Sequence, residues 1–245
     1  MYKKFLVIIT IMVAIIFLLT TIKNIHDKKY DRKYYNEGAG KVNNDLSFEQ
    51  INDVLREIGI IDIQKEKIEQ LQEHYNSIPI DYRIDKMLFI LSNIGHGDYN
   101  FETGEWKSTS KYIYSFDAEA YDLNKMYTLL FDGISSITNG EVVFSNIVED
   151  SQNAYYENND DIQKIFFELN GEKYAYDAIV NDDWIDIRLL NYVNRILEEQ
   201  NYSKQFYFMS DGYQDCIIFY CNKNWADLFK EKTGYTLVND IYRVG

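Results

Sequence analysis

The sequence predicts an α+β domain with antiparallel strands, carried behind an N-terminal transmembrane helix. Three observations predict it. Phe5–Ile22 is an uncharged run dominated by Ile, Leu, Val, Phe and Met. Asn170-Gly171 and Ser210-Asp211-Gly212-Tyr213 are hairpin turns flanked by strand-like runs. Segments with apolar residues every three or four positions come before, between and after those hairpins, without the regular strand–helix alternation of a doubly wound parallel sheet. No repeat of fixed period is present. The expected arrangement is an antiparallel sheet with helices packed on one face. Its organisation reads as an anchor over 1–22, a charged juxtamembrane linker over 23–45, a helical segment over 46–95 and an α+β domain over 96–245.

The anchor comes first in the chain. Eighteen helical residues extend about 27 Å, close to the roughly 30 Å of a bilayer's hydrocarbon. The run exceeds a secretory h-region, and Thr20-Thr21-Ile22-Lys23 offers no small-x-small cleavage site. No Cys lies near enough to carry a lipid, and no face is polar as a soluble core helix requires. The expectation is an uncleaved signal-anchor and a single-pass protein of the cell membrane. For orientation two rules compete. A first helix with a short basic tail usually exports the rest of its chain, whereas Lys23, Lys28, Lys29, Arg32 and Lys33 outnumber Lys3 and Lys4 and pull the C-terminal flank inward. An extracytoplasmic head is the orientation expected here.

Helical periodicity begins at Ser47-Phe48-Glu49-Gln50, which has the form of a capping box. Ile51, Val54, Leu55 and Ile58 continue it until Gly59. A second helix is predicted over Gln64–Asn76, ended by Pro79, and a third from a cap at Asp81 to Gly95. Lys111–Phe116 then reads as a strand, followed by a helix capped near Asp122 and by a strand over Glu141–Val148. Glu149–Asp161 reads as an acidic surface loop. Lys164–Leu169 and Glu172–Ile179 form the first hairpin. Asp183-Trp184-Ile185-Asp186 opens a helix carrying Leu189, Leu190, Val193, Ile196 and Leu197. Lys204–Met209 and Gln214–Cys221 form the second hairpin. The last helix runs from near Asn222 to Gly234, with a short strand at Tyr235–Val238.

Composition and charge exclude several classes. At 46% hydrophobic and 16% aromatic, the chain holds too much apolar mass for a disordered protein. One Pro and two Cys exclude Pro-rich and disulfide-dense scaffolds. Residues 1–33 carry seven basic and two acidic side chains. That leaves 18 of the 25 basic and 37 of the 39 acidic for residues 34–245, a net of −19. Such a field repels phosphate backbones, so no nucleic-acid partner is expected, while a basic protein partner is compatible with it.

Candidate chemistry is sparse. His96, in Gly95-His96-Gly97-Asp98, has a carboxylate two residues on and could serve as a general base. Asp182-Asp183-Trp184-Ile185-Asp186 is the densest carboxylate group beside an aromatic, and paired carboxylates do acid–base work when their pKa values separate. Asp183 and Asp186 also suit helix capping and the first turn, which is the plainer use of acids there. Asp98-x-Asn100-x-Glu102 resembles a calcium loop but has Thr103 and Thr109 at its Gly and bidentate-Glu places. Cys216 and Cys221, five apart in one strand, point to opposite faces and neither pair nor share a metal. No metal site and no cofactor is expected. Tyr155 and Tyr156, inside the acidic loop, are the candidates for an exposed binding surface.

With no nucleophile elbow and no zinc-protease helix in the sequence, the expected function is a membrane-anchored protein-interaction module. An immunity-type protein neutralising a basic toxin, or a cell-envelope accessory factor, fits that description. The alternative is a hydrolase using His96 and Asp98 or the Asp182–Asp186 group, with Asp183 and Asp186 as its candidate carboxylates.

Overall fold

The computed structural model describes residues 46–240, except 101, 104, 121 and 151–161. The chain is α+β with antiparallel sheets. Its N-terminal helices are α1 (Phe48–Glu57), α2 (Lys65–Ser77) and α3 (Lys86–Gly95). Then come the strands β1 (Asp98–Asn100), β2 (Glu105–Lys107) and β3 (Tyr114–Asp117), and helix α4 (Met126–Ser136). Strands β4 (Phe144–Asp150), β5 (Ile162–Leu169) and β6 (Glu172–Ile179) precede α5 (Arg188–Glu199). The chain closes with β7 (Gln205–Ser210), β8 (Asp215–Cys221) and α6 (Lys223–Thr233). The run Phe5–Ile22 and the pair Tyr155-Tyr156 lie outside the described residues. Among the described residues no helix is long and apolar enough to cross a membrane.

The single sheet expected from sequence is instead two three-stranded sheets, ordered β3-β8-β7 and β4-β5-β6, with β1 and β2 as a separate hairpin. Cys216-Ile217-Ile218-Phe219 in β8 is buried without a break, the mark of a strand covered on both sides. One face of the β3-β8-β7 sheet (Ile113, Tyr207, Met209, Ile217, Phe219, Cys221) joins a cluster with the apolar sides of α1, α2, α3 and α6. Tyr114, on the opposite face, meets α4: a Cβ on Gly133 would sit 2.0 Å from its ring. Helices therefore cover both faces, not one. The reason is visible in β8, where Cys216, Ile217, Ile218 and Phe219 place buried apolar side chains on both faces. Cys216 and Cys221 do fall on opposite faces of β8, both buried and both free.

Local signals hold at several ends. Ser47 and Gln50 form a reciprocal capping box, Asn170 (φ 50) and Gly171 (φ 89) make the turn between β5 and β6, and Gly234 ends α6 in the left-handed region at φ 81. Three helix starts, those of α3, α4 and α5, differ from expectation. Helix α3 is capped by Asp85, which accepts from Met87 N and Leu88 N, while Asp81 lies in a separate 3-10 turn, Ile80–Tyr82. Helix α5 begins at Arg188, not at Asp183. Glu149 belongs to β4, not to a loop. Its carboxylate accepts from Tyr127 N, Thr128 N and Thr128 Oγ1 at the start of α4, so a strand residue caps that helix.

The last residue of α3 sets its height above the sheet. A Cβ on Gly95 would lie 2.6 Å from Ser115 N and 2.8 Å from the Tyr114 carbonyl carbon. Backbone touches backbone here, so neither side can yield by rotating a side chain. Gly95→Ala is expected to cost about 1–3 kcal/mol and to lower the urea midpoint with an unchanged slope. A wild-type midpoint would show that the helix is free to lift.

Candidate functional site

At the end of α3 the helix stops on His96, whose N–H bonds Ser92 O at 3.0 Å. Gly97 follows at φ +68, and a Cβ there would lie 2.8 Å from the Trp106 indole. That glycine lets the β1–β2 hairpin fold back so that Trp106 Nε1 donates to His96 O at 2.7 Å. The Trp106 ring stands edge-on to Tyr114, 5.4 Å between centroids. The backbone of His96 is thus held from both sides.

The imidazole reaches β8. His96 Nε2 lies 2.8 Å from Asp215 Oδ2, and the buried Ser92 hydroxyl, one turn earlier on α3, donates to the same oxygen. Asp215 opens β8 directly across from Asp117 in β3. Behind it, the Asp211 carboxylate in the β7–β8 turn accepts from Tyr213 N at 2.8 Å and Asp215 N at 3.1 Å. Ser115 lies on the same side of β3 as Asp117, and its buried Oγ has no hydrogen-bond partner among the described residues.

These neighbours shift one another. Desolvation works to lower the His96 pKa, but the bond to Asp215 and the charges of Asp215, Asp117 and Asp211 outweigh it and raise it above the usual histidine range. For Asp215 burial acts upward, and His96 and the Ser92 hydroxyl overcome it, so its carboxyl is held below the ordinary value. Burial pushes Asp211 up to about 6, helped by the charge of Asp215 and opposed by its two backbone donors. Two carboxylates side by side are therefore driven in opposite directions.

An Asp-backed imidazole is an arrangement for proton transfer. His96 is 42% exposed at its side chain against 16% for Asp215, and its Nδ1 has no hydrogen-bond partner among the described residues. Among the described residues no nucleophile bonds the imidazole. Ser92 spends its hydroxyl on Asp215, not on the imidazole, and burial drives the Cys216 thiol far up, with Asp215 and Asp211 adding to the rise.

The structure separates the residues singled out from sequence. His96 is in the site, but its carboxylate is Asp215 and not Asp98, which sits exposed on β1 opposite Lys107. Asp186 is buried, receiving Arg188 Nε at 2.6 Å, Arg188 Nη2 at 2.7 Å, Tyr176 OH at 3.0 Å and Ile179 N at 3.0 Å. All of its acceptor capacity goes into holding β6 to the start of α5. Asp183 lies ahead of that helix, and its carbonyl accepts from Ala120 N at 2.7 Å. The two candidate segments are neighbours through β3, because Ile185 N bonds Ala118 O beside Asp117. Asp186 nevertheless brings no free carboxylate to the imidazole. Ser92, Asp117, Asp211 and Asp215 escaped the sequence reading. Of these only Asp211-Gly212 gave a signal, as a turn. Among the described residues no group of three or more His, Cys, Asp or Glu side chains is set to hold a metal ion.

The shifts fix a pH response. His96, raised when folded, contributes stability in full below the ordinary histidine value of about 6.5 and loses it as pH rises through the folded value. Asp211, raised to about 6, costs stability when ionised, and that cost shrinks as pH falls below this value and is gone below the ordinary carboxylate value of about 3.9. Asp215, lowered, contributes above the ordinary carboxylate range and loses that contribution only at lower pH. Melting temperature is therefore expected to rise on acidification from pH 8 toward 5 and to fall in stronger acid. Asp211→Asn keeps the acceptor oxygen and removes the charge. It is expected to stabilise by about 2 kcal/mol at pH 8, with little gain at pH 4. A gain equal at both pH values would show that Asp211 does not titrate in that range.

Compared with known protein families, curated proteins and solved structures, the chain matches none.

Proposed function

We propose that this chain is a membrane-anchored interaction module. In this reading Phe5–Ile22 holds it in the cell membrane as a single pass, and the acidic α+β head, outside the cytoplasm, binds a basic protein partner. An immunity-type inhibitor or a cell-envelope accessory factor has that design. The observation that carries the reading is the outward face of the β4-β5-β6 sheet. Val148, Phe166 and Ala175 stand directly across from one another on three strands, and Ile162 stands opposite Ile179. Between these apolar rows Lys164 is flanked by Asp150 and Asp177, bonding the latter at 2.7 Å. Val148, Ile162, Phe166 and Ile179 are all exposed. Apolar surface broken by charge is the make-up of a protein-binding face, and the net charge of the head favours a basic partner.

Phe166→Asp tests it. The side chain is 42% exposed on the central strand, so the substitution is expected to cost about 1–2 kcal/mol and to leave the head folded, which a melting curve checks. Crosslinked retention of a partner by the full chain in native membranes is expected to fall at least tenfold, and wild-type retention to weaken as salt rises. Unchanged retention by the variant, or no partner held by the wild type at low salt, sinks the proposal. Protease added to the same cells before lysis reports which side the head faces.

A second reading rests on the Asp215-backed imidazole with its open Nδ1. A hydrolase would use His96 to take a proton from water attacking an ester or amide, with Asp215 stabilising the imidazolium. His96→Asn and Asp215→Asn are each expected to lower such turnover by a hundredfold or more. Equal rates in wild type and both variants remove this reading.

A further inference from the structure

The 3-10 turn between α2 and α3 presents two large apolar side chains to solvent, Ile80 at 79% and Tyr82 at 75% exposure. Their flanking neighbours Ile78 and Ile84 are packed against the core. The turn is braced rather than loose. Arg83 donates from Nε to Ile78 O and from Nη2 to Asn76 O, both at 2.8 Å. Its guanidinium lies 5.2 Å from the centre of the Tyr75 ring, and Tyr75 OH donates to Ile84 O at 2.8 Å. Tyr82 N and Arg83 N close the turn on Pro79 O and Ile80 O. Side-chain bonds and a ring contact thus hold the backbone on either side of two residues whose own side chains stand in solvent.

This turn sits where the chain enters the described domain. Lys86 Nζ donates to Leu46 O at 2.9 Å, and Phe48 lies 5.3 Å from the Tyr75 ring that carries Arg83. Tyr82 and Lys86, four residues apart, are separated by at most about 14 Å, against a diameter of about 42 Å for a domain of this size. The turn and the start of the domain therefore share one end of the head, and 45 residues containing Phe5–Ile22 precede that start. Charge permits contact there. Over residues 74–86, His74 apart, Asp81 and Asp85 are matched by Arg83 and Lys86, so the turn itself is locally neutral on a head that otherwise repels anionic lipid.

We infer that Ile80 and Tyr82 form a wedge that enters the interfacial layer of the bilayer to which the chain is anchored, setting the head's orientation on that surface. A branched aliphatic side chain beside a tyrosine suits that layer, where the ring's body is apolar and its hydroxyl stays wet. The inference rests on the anchored reading proposed above, and it names the lipid surface itself as what this turn touches.

The test uses the full chain in vesicles of phosphatidylcholine with a minority of phosphatidylglycerol. Ile80→Cys and, separately, Tyr82→Cys carry an environment-sensitive fluorophore, and the buried Cys216 and Cys221 are left in place. Tyr213→Cys, in the β7–β8 turn beside the other end of α3, is the control. At positions 80 and 82 a blue-shifted emission and several-fold quenching by nitroxide-bearing lipid are expected, with neither at 213. Water-like emission at 80 and 82, or equal quenching at all three, overturns the wedge. Flotation after carbonate extraction reports the anchor separately. A chain that floats with aqueous probes has lost only the wedge, and one that is stripped while its probes still sense lipid has lost only the anchor. One that is stripped and shows aqueous probes has lost both.

Discussion

The rest of this structure depends on one pairing, that of β3 with β8. Strand β8 is apolar at successive positions because each of its faces is a core. The face that includes Ile217, Phe219 and Cys221 closes the cluster of α1, α2, α3 and α6, and the other lies toward the α4 side, where Tyr114 packs on Gly133. Pairing β3 to β8 sets Tyr114 opposite Ile218 and Asp117 opposite Asp215. Gly95 then allows α3 to rest on the β3 backbone, which brings Ser92 and His96 over Asp215. Packing of the two halves and assembly of the imidazole–carboxylate pair are consequences of the same register. A slip of one residue would turn Asp215 away from α3 and toward the opposite face.

The elements legible in the sequence are those whose signals are local. The capping box at Ser47, the Asn170-Gly171 turn, the Asn222 cap and the Gly234 stop each involve residues within four positions of one another, and each is where the sequence puts it. Where a local signal had competitors, the choice failed. Asp81 and Asp85 both precede apolar periodicity, and the cap went to Asp85 because Pro79 and the 3-10 turn occupy the segment before it. Asp183 resembles a cap, but its backbone is used by Ala120, and the helix waits until Arg188. The cap of α4 was expected near Asp122, but that carboxylate takes Asn124 N in the turn ahead of the helix, and the cap is Glu149, more than twenty residues downstream on another strand. The division into two sheets was equally hidden. Nothing in the composition of β5 and β8 says that they never pair.

For the site, the sequence yielded the imidazole and misassigned its partner. Asp98 was attractive by proximity along the chain, yet Gly97 and the β1–β2 hairpin carry it to the far side of a turn. Asp215 stands 119 positions away, and no periodicity or motif connects it to His96. The carboxylates around Asp183 and Asp186 were conspicuous by density, but density reflected the need to fasten β6 to α5. Asp186 is engaged by four donor groups besides the Arg188 backbone. A buried acid so fully satisfied is a fastening, whereas His96 keeps one nitrogen open and its side chain partly exposed.

The distance along the chain between β3 and β8 has a consequence for biosynthesis. The partners of β3 lie about a hundred residues downstream, a separation that makes this contact slow to form. Strands β4, β5 and β6 need only their own neighbourhood and can pair as they emerge. The apolar sides of α1, α2 and α3, made first, have no sheet to cover them until Gln205 and the residues beyond it have left the ribosome. Until then the chain carries an unfinished N-terminal half, and a product truncated before Asp215 contains α1 to α5 but lacks β8, the central strand that joins β3 to β7.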